Sequence, residues 1–90
     1  MFLCVSAYSA PLAEVDAVSA AHRRFLVTLE ARDLVVLAGR QEPPAGGVVV
    51  LRGDSLEQVQ RLLQDDPYVQ RGVATYTVTE FTSQRGAATG

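Results

Sequence analysis

The chain has one histidine, His22, and few side chains that could work with it. An imidazole titrates near neutrality, so it can both take and give a proton under ordinary conditions. His22 lies four residues after Val18 and three before Phe25, within an apolar repeat of helical period. Its ring therefore falls on the buried side of a helix, where both nitrogens need partners. Asp66 can supply one. It continues an inner stripe of Val59, Leu62 and Leu63, and Pro67 fixes it at the end of a second helix. Such a pair suits general acid/base chemistry: His22 moves the proton while Asp66 orients the ring and stabilises its charged form. The same spacing also fits a hydrogen-bonded core histidine with a helix-ending aspartate. The residues leave both readings open.

Other chemistries find less support. All eight basic residues are arginine, which excludes a lysine nucleophile or Schiff base. Cys4 is the one cysteine, so no internal disulfide forms, and its apolar run Phe2-Leu3-Cys4-Val5 reads as core. One His, one Cys and no clustered carboxylates do not make a three-ligand site, so neither a metal nor an organic cofactor is expected. Ser6 and Ser9 lack the strand-to-helix context of a nucleophile elbow. A net charge of −2 offers no footprint for nucleic acid. No stretch approaches the roughly 20 apolar residues of a membrane span. The apolar opening residues lack a basic n-region, so the expected location is the cytosol.

The elements that must position these residues follow from the pattern. Residues 2–8 read as a buried strand, stopped by Ser9-Ala10-Pro11. Pro11 suits a helix start, and Leu12, Val15, Val18, Phe25 and Leu29 mark an amphipathic helix over residues 12–31. Glu14 and Asp16 in its first turn and Arg32 in its last match the helix dipole. Residues 34–38 and 48–51 are β-branched runs on either side of a Pro- and Gly-rich loop, hence antiparallel neighbours. Asp54 or Ser55 caps the second helix. Residues 73–81 alternate as a last strand, with Ala74, Tyr76 and Val78 on one side and Val73, Thr75, Thr77 and Phe81 on the other. The order β-α-β-β-α-β gives an α+β domain with a four-stranded antiparallel sheet and both helices on one face. Residues 1–83 form this single domain and residues 84–90 a polar tail. The uncovered sheet face calls for a second copy, so a homodimer is expected.

Four segments in order, "AHRRFL", "LAGR", "GGVVVLR" and "DDPYVQRG", resemble the YciI-like (YCII-related) family over nearly the whole chain. The resemblance implies a ferredoxin-like βαββαβ subunit paired into a dimeric α/β-barrel. It also implies a site made by a helix histidine and the aspartate of an Asp-Pro pair, here His22 and Asp66. Most of the family has no assigned reaction, although a few relatives act as lyases or dehalogenating enzymes on aromatic ring compounds. Related barrels include muconolactone-isomerase-like and cofactor-free monooxygenase-like proteins.

Two departures stand out. Arg32-Asp33 replaces the glycine common between first helix and second strand, and Gly39-Arg40 replaces a frequent Gly-Pro. Arg40 at a strand end can meet a ligand near His22, or it can be a solvated loop arginine. Tyr8 ends the first strand and Tyr68 follows Pro67, so both phenols can wall the pocket. The leading expectation is a cofactor-free enzyme of lyase, isomerase or elimination type, acting on a small cyclic or aromatic molecule. The alternative is a non-catalytic dimeric binding or accessory protein. A concave pocket exposing a His22 nitrogen would favour the enzyme, whereas a sealed pair would favour a structural bond.

Overall fold

In the computed structural model, which describes residues 1–86, four strands form one sheet in the order β2-β3-β1-β4. β1 (Phe2–Tyr8) is central and antiparallel to both neighbours, with Cys4 opposite Val49 on one side and Val78 on the other. Phe2, Cys4 and Ser6 are buried under the helices while Leu3 and Val5 are half-buried on the reverse face, the period of two that a pleated strand imposes. β2 (Val35–Arg40) and β3 (Gly47–Leu51) pair antiparallel, as their shared loop predicts. Their register shifts between Val35 and Leu37. β4 (Ala74–Glu80) completes the sheet. Tyr76 and Val78 turn inward and Thr75, Thr77 and Thr79 outward. Val73 departs from the expected alternation: it precedes the strand and is buried beside Ala74.

α1 (Leu12–Ala31) lies across the sheet, burying Val15, Val18 and Leu29. Pro11 stands one residue before its first turn, and Arg32 is its C-cap rather than a member of the last turn. Asp33 follows at φ 58°, the left-handed conformation that usually ends a helix on glycine. Aspartate tolerates this region better than most residues, so it does here what glycine does elsewhere.

α2 (Leu56–Leu63) is capped by Ser55, whose hydroxyl accepts from the Gln58 N–H at 3.1 Å. Gln58 Oε1 in turn accepts from the Asp54 N–H. The helix ends at Leu63, before Asp66, and the chain then starts a third short helix, α3 (Pro67–Gln70). This corrects the expectation that Asp66-Pro67 closes the second helix. An aspartate followed by proline is a strong helix start, since Asp caps exposed N–H groups and proline has none to lose at the first position. The core joins Phe2, Cys4, Leu29, Val49, Leu51, Val59 and Leu63, with a second cluster of Val15, Val18, Tyr68, Val73 and Ala74 beneath the start of α1. Of the expected polar tail, residues 87–90 lie outside the described residues.

Candidate active site

His22 projects from the middle of α1 toward the start of α3. Its Nδ1 lies 2.9 Å from Asp66 Oδ1 and 3.0 Å from Oδ2. The side chains paired from sequence do meet, but the geometry differs from the one expected. Asp66 is the N-cap of α3, and its Oδ1 also accepts from the Tyr68 N–H at 2.9 Å. Oδ2 accepts from the Tyr76 hydroxyl at 2.7 Å. Asp66 has 0% of its surface exposed, so these three donors replace the water it has lost.

Because Nδ1 gives its proton to a carboxylate, the neutral ring carries its lone pair on Nε2. Among the described residues every side-chain hydrogen bond of His22 runs through Nδ1. The side chain keeps 17% of its surface exposed. Tyr68 stacks on one face of the ring, centroids 4.0 Å apart and planes 7° from parallel. Tyr8 meets Tyr68 edge to face at 6.2 Å. Burial pushes the Tyr68 phenol above its ordinary value, helped by the charges of Tyr8, Asp66 and Asp16 and opposed by Arg23. Burial and then the bond to Asp66 push Tyr76 up much further, which keeps it a donor.

Beside this group opens a cleft of about 410 Å³. Asp16, Ser19, His22, Arg23 and Leu26 of α1 form one wall, residues that repeat at helical spacing. The ends of β1, β2 and β3 form the other, with Ser6, Tyr8, Arg40 and Gly47 among them. Tyr68 and Tyr76 also line it. His22, Tyr8, Tyr68 and Arg40 thus share one cavity, while Asp66 stands behind the imidazole. Ser6 is held by Gly47, whose N–H donates to its hydroxyl at 2.8 Å. A second cavity, between α2, α3 and β4, shares Tyr76 but lacks His22.

Tyr76 was not singled out as a site residue by sequence. Its signal was present: a tyrosine on the inward side of a strand, between Ala74 and Val78, must bring its hydroxyl to a partner. Arg23 escaped notice because its neighbour His22 took the inward position. Among the described residues no group of three His, Cys, Asp or Glu side chains converges as a metal site. Among them, too, no helix is long and apolar enough to cross a membrane.

The fold and cleft define an α+β domain of ferredoxin-like arrangement with a histidine–aspartate pair at a pocket wall. The chain belongs to the YCII-related domain family, whose family model matches residues 1–82. No curated protein matches it. Among solved structures it is similar to 5-chloro-2-hydroxyhydroquinone dehydrochlorinase (TftG) from Burkholderia phenoliruptrix AC1100, in complex with 2,5-dihydroxybenzoquinone. The TM-score is 0.76 over 100% of both chains, at 18% sequence identity, a likeness of fold.

Proposed function

We propose that this protein is a cofactor-free enzyme in which His22 and Asp66 carry out acid/base elimination or isomerisation on a small cyclic or aromatic molecule. One observation carries the reading: Nδ1 of His22 is tied to a buried carboxylate while the side chain, 17% exposed, lines an open cleft. A structural pair would need no cavity in front of it.

In this reading Nε2 takes a proton from a C–H or O–H of the substrate. The electron pair left behind expels a leaving group from an adjacent or conjugated carbon, and the imidazolium later passes its proton to product or solvent. Asp66 balances the ring's positive charge and fixes its tautomer. Tyr8 and Tyr68 supply flat walls for a ring, and Arg40 contacts the substrate at the strand end. The dehydrochlorinase of similar fold acts, by its name, on a chlorinated hydroxyhydroquinone, which makes halogenated hydroxyquinols the first compounds to test. The active unit is a cytosolic homodimer.

The test follows chloride release and quinone absorbance from chlorinated hydroxyquinols. His22→Gln should lower the rate by roughly a hundredfold or more while the protein stays folded. Turnover by His22→Gln at the wild-type rate would overturn the assignment. Ligand binding with no turnover across the panel would point to the non-catalytic binding protein instead.

A further inference from the structure

Two of the eight arginines, Arg23 and Arg40, line the cleft, one from the helix wall and one from the sheet wall. Among the described residues neither forms an ion pair. The one carboxylate on the lining is Asp16, because the charge of Asp66 lies behind the ring and is taken up by three donors. The walls thus present one positive charge more than they neutralise. A cleft with low-dielectric walls concentrates such a charge rather than dispersing it.

We propose that the cleft selects a small ring compound bearing one carboxylate, held by Arg40 and Arg23 while the ring lies against the tyrosines beside His22. This deepens the catalytic reading above and rests on it. The guanidinium fork matches a planar carboxylate and can bind both oxygens at once. Tyr8 and Tyr68 line the cleft with their rings 83° apart and add aromatic surface beside His22. Asp16 repels a second negative charge, which favours a monoacid over a diacid.

The experiment titrates the full chain with 2,5-dihydroxybenzoate and with 2,5-dihydroxybenzamide by calorimetry, and follows the His22 imidazole by NMR to locate binding. The acid should bind roughly tenfold more tightly than the amide, with a preference that shrinks as salt is added. Arg40→Gln and Arg23→Gln should each weaken acid binding several-fold more than amide binding, and the double variant should lose the preference. Equal affinity for acid and amide, or a preference that survives the double variant, overturns the proposal. If both probes bind alike beside His22, the charge selection fails and the catalytic reading stands. If neither probe perturbs His22, the carboxylate proposal fails, and chloride release from the hydroxyquinols decides the catalytic reading separately.

Discussion

A carboxylate removed entirely from water, as Asp66 is, must recover its hydration from donors around it, and here each donor comes from a different element. Tyr76 is the donor whose loss is easiest to read. Tyr76→Phe keeps the ring and removes the bond to Oδ2, at an expected cost of about 1–3 kcal/mol in denaturant titration. Alkaline stability tests the buried acids as a group. Burial pushes the Cys4 thiol from 9.0 up to about 11, and Tyr76 also rises above its ordinary value. A raised folded value means that the folded state holds its proton more tightly than the unfolded chain. The stability this gives is complete below the unfolded value and fades as pH climbs toward the folded one. Unfolding free energy should therefore fall from pH 9 upward, with Cys4 accounting for about 2–3 kcal/mol by pH 11. Cys4→Ala should flatten the fall between pH 9 and 11, and Tyr76→Phe should flatten it above pH 10. Identical slopes in all three proteins would mean that these groups are not held neutral by the fold. At this scale the His22–Asp66 meeting was legible because one residue sat on an apolar stripe and the other beside a proline. Tyr76 was not, because alternation says which way a side chain points but not what lies opposite.

Helix ends decide much of the local geometry. The hairpin of β2 and β3, the α1 stripe apart from the exposed Leu12, and a cap at Asp54 or Ser55, which proves to be Ser55, were legible, since each rests on short-range periodicity or turn chemistry. α3 was hidden because Asp-Pro signals both the end of one helix and the start of another, and only packing chooses between them. That choice places the Asp66 carboxylate at the cap of α3, with one oxygen on a backbone N–H and both within reach of the imidazole. The turn after α1 offers a separate test. Asp33 stands at φ 58°, where a side chain costs energy that glycine does not. Its ion pair with Arg52 is long, at 3.6 Å, and exposed, so little is lost with it. Asp33→Gly should stabilise the chain by about 0.5–1 kcal/mol, read as a shift in urea midpoint at constant slope. A loss of stability would show that the carboxylate does more than tolerate the turn.

The whole molecule has two unlike sides. One carries the helices and the cleft, and the other is a sheet face of half-buried Leu3, Val5, Val48 and Val50 with Leu37 55% exposed. An apolar face this continuous is stable in water when another surface covers it. At low micromolar concentration the chain should sediment at twice its 9.7 kDa mass, and Leu37→Asp should shift it toward the monomer with circular dichroism unchanged. A wild-type chain that sediments only as a monomer would rule this association out. The antiparallel four-stranded sheet was legible from composition and order alone, because each apolar run had one place to go. What covers the open face is a question of contacts between chains, on which strand periodicity is silent.

The Tyr68 ring on the face of His22 makes the imidazole its own reporter. A proton held over an aromatic face feels the magnetic field of the circulating π-electrons, so the two carbon-bound protons of this histidine should resonate upfield of their usual positions. With one histidine in the chain, they need no assignment by mutagenesis. Any molecule that enters the cleft or tilts Tyr68 changes that field. Occupancy, a shift of α3 and a change of protonation can then be followed on two lines of one spectrum, without labels.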